Sequence, residues 1–165
     1  MKILVTAASK HGSTQEIAET IGAELRQAEH EVDVIESTQA SVAGYDTAVI
    51  GSAIYAGNWM GAARDFVAQN QAELAQMPVW LFSSGPLGAE NPQPQEEPVQ
   101  LPDLMTQTNA RGHKIFVGSL NKADLNFGEK LLVKAVKAPY GDFRDWDAIR
   151  AWAREIAAAL APVEA

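Results

Sequence analysis

Short apolar runs alternate along this chain with longer stretches in which apolar residues recur every three or four positions. The short runs are Lys2–Ala7, Glu31–Ile35, Thr47–Ser52, Val79–Ser84 and Lys114–Ser119. Most are continuously apolar, as expected for strands covered on both faces. Between them, Ile17, Ala18, Ile21, Leu25 and Ala28 form one helical stripe. Ala63, Phe66, Val67 and Leu74 form a second, and Ile149, Trp152, Ala153, Ile156, Ala157 and Leu160 a third. Asp145 stands where an N-cap would start the last helix. No internal repeat or domain boundary interrupts the pattern, so residues 1–165 read as a single domain.

Strand–helix alternation on one short chain predicts a parallel sheet with helices on both faces. Right-handed crossovers leave few topologies, and with five strands the leading one is the doubly wound order 2-1-3-4-5. In such sheets ligands bind beyond the carboxyl ends of the strands, where the order reverses between the first and third. The first apolar run, Ile3 to Ala8, is too short for a signal core and is read as a buried strand, with a cytoplasmic location expected.

Composition narrows the function classes. Of 165 residues, 47% are apolar and 21% charged, the usual globular mixture. There is no cysteine, which removes thiol catalysis, disulfides and cysteine metal sites. His11, His30 and His113 show no metal-ligand spacing, and no metal is expected. The net charge of −8 disfavours nucleic acid and anionic membranes as partners.

The segments after the strands carry the candidate chemistry. After strand one comes Ala8-Ser9-Lys10-His11-Gly12-Ser13-Thr14, a hydroxyl-rich loop leading into a helix. Free N–H groups and the helix dipole there favour an anion, and Ser9, Ser13 and Thr14 add hydroxyl donors. The loop lacks the glycine patterns of nucleoside-triphosphate and dinucleotide folds and suits a terminal phosphate monoester. The alternative is that Ser13 simply N-caps the helix. After strand three, Gly51 to Gly61 holds three glycines with Tyr55 and Trp59, a setting for a flat ring. Tyr55 is the better candidate platform, because Trp59 can instead pack at the start of the next helix.

After strand four comes Ser83-Ser84-Gly85-Pro86-Leu87-Gly88, then a stretch to Pro102 with little regular signal; from Ser83 to Pro102 lie five of the eight prolines. Its first residues should line the ligand site, and the remainder reads as a solvated lid or partner surface. After strand five, Gly128–Lys137 is amphipathic, with Leu131, Leu132, Ala135 and Val136 opposite Lys130, Lys134 and Lys137. Core packing with solvated lysines is its favoured reading, with docking of a partner or peripheral contact with a membrane surface as the alternative. A phosphoacceptor site fails because Gly51-Ser52 ends the third strand, and no G-x-S-x-G nucleophile elbow is present.

The run Ser9 to Thr14 resembles the phosphate loop of flavodoxins. The resemblance is closest to flavodoxin-domain proteins of the menaquinone-dependent protoporphyrinogen dehydrogenase type. It is carried also by Ile50–Gly57, by Ala63–Val67, by Asp145–Ala157, and by an extra segment after strand five at Lys122–Tyr140. The resemblance implies a flavodoxin-like three-layer sandwich and FMN as cofactor. It implies that Ser9, Lys10, Gly12, Ser13 and Thr14 hold the phosphate. Ala53, Ile54, Tyr55, Gly57 and Asn58 would flank the isoalloxazine on one side, and Ser84, Gly85, Pro86, Leu87 and Gly88 on the other. Three functions stay open at this point. One is an oxidoreductase acting on a quinone or a porphyrinogen-like compound. The second is an electron carrier docking on a redox protein, and the third is a flavin-free interaction module. No acid occurs in Ser52–Gly61, which favours a flavin of milder potential than a carrier's, working in electron pairs.

Overall fold

The computed structural model describes residues 1–10, 12–55, 57–85, 97–116, 144–161 and the backbone of 119–120 and 141–142. In chain order these form β1 (Lys2–Ala8), α1 (Ser13–Gln27), β2 (Glu31–Glu36), β3 (Thr47–Tyr55), β4 (Asn58–Trp59), α2 (Gly61–Gln69) and α3 (Gln71–Leu74). There follow β5 (Val79–Ser84), α4 (Leu101–Thr108), β6 (Gly112–Phe116), β7 (Ser119–Leu120), β8 (Gly141–Asp142) and α5 (Trp146–Leu160).

The main sheet runs β2-β1-β3-β5-β6, all pairs parallel, and the two-residue β4 folds back antiparallel on β3. Counting its five long strands, the order is the expected 2-1-3-4-5. The continuous apolar runs fit this layout: β5 is buried at every residue and β3 at seven of nine positions. β1 and β3 lie side by side, with Ala8 opposite Ser52. Their carboxyl ends open on the point where the strand order reverses.

Two cores lie on the two faces. On one, the α1 stripe (Ile17, Ala18, Ile21, Leu25) meets the α5 stripe (Ile149, Trp152, Ala153, Ile156, Leu160) over Ile3, Val5 and Phe82. Phe82, Phe116 and Trp152 form a tilted and edge-on aromatic triangle with centroids 5.6–6.3 Å apart. Gly51 is obligatory beside it, since a Cβ there would sit 2.1 Å from Phe82 Cζ. Glu24 of α1, its side chain 10% exposed, binds Arg154 of α5 at 3.2 Å and fixes the two helices in register. On the other face, Ala63, Phe66 and Val67 of α2, Leu74 of α3 and Leu101 and Leu104 of α4 cover Leu4, Ile50 and Leu81.

The structure departs from the sequence expectations in four places. Ala28 is exposed because α1 ends at Gln27, and Glu29 turns the chain with a φ of 70°. β3 continues past Ser52 to Tyr55 and turns through Gly57 (φ 81°) into β4, so a hairpin stands where a loop is expected. α4 starts at Leu101, inside the proline-rich stretch. Pro102 sits in its first turn, where a missing N–H breaks no helical bond. The fifth long strand starts at Gly112, two residues early, and ends at Phe116. Gly128–Lys137 and the larger Lys122–Tyr140 segment lie outside the described residues, as does the centre of the proline-rich stretch. Among the described residues no helix is long and apolar enough to cross a membrane.

Candidate functional site

Three strand ends build the site. β1 delivers Ala8 and the loop to α1, β3 delivers Tyr55 and the hairpin, and β5 delivers Ser84 and Gly85. All three leave the same edge of the sheet.

The first corner is the α1 N-terminus. Gly12 is the N-cap, with a φ of 89° that an L side chain adopts only with strain. No side chain caps this helix, so Ser13 is its first helical residue and the capping reading fails. The N–H groups of Ser13, Thr14 and Gln15 therefore have no acceptor within the helix. Ser9 Oγ accepts from Gly12 N–H at 2.9 Å, curling the loop beneath those donors. Thr14 is completely buried, and its Oγ1 has no hydrogen-bond partner; Gln15 Oε1 is likewise unpartnered. A buried hydroxyl without a partner costs about 1–3 kcal/mol. An incoming anion would relieve that cost.

A cation stands beside this corner. Arg144, its side chain 8% exposed, donates from Nη1 to the Ser13 carbonyl at 3.2 Å and pairs with Glu16 at 3.5 Å. Its guanidinium lies 4.6 Å from the Trp146 ring centre. Asp145 caps α5 as expected, accepting from Ala148 N–H at 3.0 Å, and so fixes the backbone that presents Arg144. Sequence reading misses Arg144. The available signal was topological: α1 and α5 both return from strand ends at this edge, so the residue before α5's cap falls near α1's first turn.

The second corner is the hairpin. Tyr55 is 41% exposed at its tip. Lys10 Nζ lies 4.6 Å from the Tyr55 ring centre, so this lysine reaches across to the hairpin. Ala53 is half-buried, and Ile54 packs into the core. Trp59 packs as the bland reading holds. It is 1% exposed and donates from Nε1 to Ser83 Oγ at 2.7 Å, and Ser83 meets His113 Nε2 at 2.7 Å. Burial drops the His113 pKa to about 4, so its ring is neutral at pH 7. Ser83 can then accept from Trp59 and donate to His113, which satisfies all three groups.

Gln100 locks the hairpin from outside. It accepts from Trp59 N–H at 3.0 Å and donates to Asn58 Oδ1 at 2.7 Å, while Val99 N–H donates to the Gly57 carbonyl at 2.9 Å. Ser52 Oγ accepts from Met60 N–H at 2.9 Å, tying the start of α2 to β3. These partners lie 8 to 42 residues apart in sequence, so no local pattern announces them.

The third corner holds Ser84, which is buried, and Gly85, with a φ of 75° and its N–H on the Phe116 carbonyl at 2.9 Å. Pro86, Leu87 and Gly88 lie outside the described residues. The described expected residues thus gather at one edge: Ser9, Gly12, Ser13 and Thr14 at the helix, Ala53, Tyr55, Gly57 and Asn58 on the hairpin, Ser84 and Gly85 beside it. Lys10 joins the first group to the second.

Comparison with known proteins matches this layout. The chain resembles Protoporphyrinogen IX dehydrogenase [quinone] of Escherichia coli (strain K12), with 27% identity over 175 aligned positions covering 95% of each protein. An archaeal flavodoxin superposes with a TM-score of 0.66 at 17% identity, covering 96% of this chain and 98% of its own. Flavodoxin 1 from Bacillus cereus gives 0.63 at 17% identity, covering 98% and 100%. At that identity the structures speak for the fold. A flavodoxin domain indicates FMN as cofactor, and the unpartnered Thr14 hydroxyl at an uncapped helix suits its phosphate. The family model for the flavodoxin domain spans residues 4–147, from the first strand to the first turn of the last helix, and the chain belongs to that family.

Proposed function

We propose that this protein is an FMN-dependent oxidoreductase that passes electrons between FMN and a quinone-like or porphyrinogen-like organic substrate. The observation that carries the flavin site is the buried Thr14 hydroxyl without a partner, one residue into an uncapped helix. Ser9, Gly12, Ser13 and Thr14 hold the phosphate through hydroxyls and backbone N–H groups. Ala53, Ile54, Tyr55, Gly57 and Asn58 border the ring on one side. Ser84 and Gly85 border it on the other. Bound FMN supplies the electron-pair chemistry, and the protein decides orientation and access.

The hairpin supports an enzyme over a carrier. No carboxylate occurs in Ser52–Gly61, so no fixed negative charge in that loop opposes the charge that reduction adds to the ring. The Lys10 ammonium over Tyr55 has the opposite effect. The substrate class follows the Escherichia coli relative, whose name couples protoporphyrinogen IX to a quinone.

The test has two stages. Purified protein is titrated with FMN and with riboflavin, following flavin fluorescence. One-to-one FMN binding with much weaker riboflavin binding is expected, and equal binding overturns the phosphate site. The loaded protein is then offered quinones and a porphyrinogen. Steady turnover is expected. Its absence, with electron delivery to redox proteins intact, would make this a carrier.

A further inference from the structure

One peptide N–H decides how two side-chain amides are turned. Gln100 precedes α4, yet its side chain does not cap that helix. It reaches back 41 and 42 residues to the two residues of β4 instead. The Trp59 backbone N–H can only donate, so the end of Gln100 that meets it at 3.0 Å is the oxygen. The amino end of Gln100 therefore faces Asn58, which answers at 2.7 Å with its carbamoyl oxygen. Turning either amide over would set oxygen against oxygen or N–H against N–H. The Asn58 amino group is thus turned away from Gln100. An amide amino group carries two N–H donors, enough for a protein partner and a ligand acceptor together.

Asn58 stands where that direction matters. It pairs with Tyr55 across the hairpin, and Trp59 pairs with Ile54. Directly opposed residues send their side chains to the same face of a strand pair. Ile54 and Trp59 go into the core, so Tyr55 and Asn58 share the other face, where Tyr55 is the exposed platform for a flat ring. A two-residue strand has little stability of its own, and Gln100, with Val99 N–H on the Gly57 carbonyl, supplies its outer edge. Anchoring needs only bonds to both residues. What Gln100 adds is a fixed polarity. We infer that Gln100 is a positioning residue for recognition of the cofactor ring, fixing which end of the Asn58 amide is offered to it: the donor end. Oxidised flavin carries carbonyl oxygens and bare ring nitrogens along its polar edge, so a donor is the matching group. The inference rests on the flavin reading above and adds to it a residue from outside the three strand ends.

The experiment titrates the intact flavin-free protein with oxidised riboflavin and FMN, in wild type, Gln100→Met, Gln100→Glu, Asn58→Ala and the double variant Gln100→Glu with Asn58→Ala. Gln100→Glu is the decisive change. Its carboxylate still accepts from Trp59 N–H and still meets Asn58, but only as an acceptor, so Asn58 turns its amino group inward. Both anchors survive and the amide is reversed. Riboflavin is neutral, so the added negative charge acts little on it. Its binding should weaken about fivefold, the worth of one ordinary hydrogen bond, while the urea midpoint stays close to that of wild type. Gln100→Met loses both bonds and should weaken both flavins at least as much. With Asn58 already truncated to alanine, Gln100→Glu should cost less than about twofold more. Wild-type riboflavin affinity in Gln100→Glu would leave Gln100 an anchor only and overturn the inference. So would a loss that persists undiminished without the Asn58 side chain. A wild type that binds neither flavin is a different failure, which overturns the flavin reading itself and this inference with it.

Discussion

The two ends of the site are built on opposite principles. At the hairpin, every buried polar group named above has found a partner inside the protein: Trp59 on Ser83, Ser83 on His113, Ser52 on Met60, Gln100 across Asn58 and Trp59. At the α1 N-terminus the reverse holds. The helix has no side-chain cap, and Thr14 Oγ1 and Gln15 Oε1 are buried without partners. A satisfied network holds its shape whether or not a ligand is present, whereas an unsatisfied one stores free energy that a ligand can release. The hairpin is therefore built as a fixed wall, and the helix end is where a bound anion would release the most free energy.

The largest effects should follow from breaking the wall. Trp59→Ala removes a fully buried indole and strands Ser83. It should cost about 3–5 kcal/mol of stability, read as a lowered urea midpoint. Thr14→Ala, buried just as deeply, should cost far less than Trp59→Ala. Similar losses at the two positions would erase the contrast.

Acid attacks the wall by a second route. The His113 pKa is about 4 in the fold against about 6.5 for an unperturbed histidine, with burial as the cause. The unfolded chain therefore binds the proton first as pH falls. This part of the stability is complete above about pH 6.5 and is lost between there and about pH 4. The ring is only partly buried, so solvent screening reduces the loss to about 2 kcal/mol. Urea midpoints of wild type and His113→Gln at pH 7 and pH 4.5 measure it. The variant should lose less stability over that range, and parallel curves would show that His113 contributes nothing to it.

Thr14→Val sharpens the other half of the comparison, because its two readouts should move in opposite directions. Removing an unpartnered buried hydroxyl should leave the flavin-free protein as stable as before or more so. The same change should weaken FMN binding by about 1–3 kcal/mol, through loss of one donor to a buried anion. A variant that is destabilised without flavin would mean that the hydroxyl already has a structural role.

How much of this was legible in the sequence follows from how local each signal is. The α1 and α5 stripes were readable because each helix writes its own period, and the strand order followed from alternation and handedness. That Gly12, Thr14, Tyr55 and Gly85 would come to one edge was readable because each stands at a strand's carboxyl end or in the segment that follows it. The start of α4 was hidden by prolines, which argue against a helix everywhere except in its first turn. Trp59, Ser83, His113 and Gln100 form a unit only after β4, β5, β6 and the α4 cap come together. None of those four residues announces its partner. Arg144 belongs to the same class, since its partners Ser13 and Glu16 lie 131 and 128 positions earlier.

Lys10 offers the smallest effect and the finest cut between the two regions. It sits in the phosphate-type loop by sequence, yet its ammonium lies over the Tyr55 ring of the hairpin. If its charge served the phosphate, Lys10→Met would weaken FMN and spare riboflavin. Its position over Tyr55 predicts something else. A partly exposed cation–π contact is worth about 0.5–1 kcal/mol, so global stability should change by no more than that. The hairpin face, however, loses its tether to the first loop, and FMN and riboflavin should weaken together by about two- to fivefold. The reduction potential of bound flavin should also fall, since a positive charge near the ring has been removed. A selective loss of FMN with an unchanged potential would return Lys10 to the phosphate and leave Tyr55 as an isolated platform.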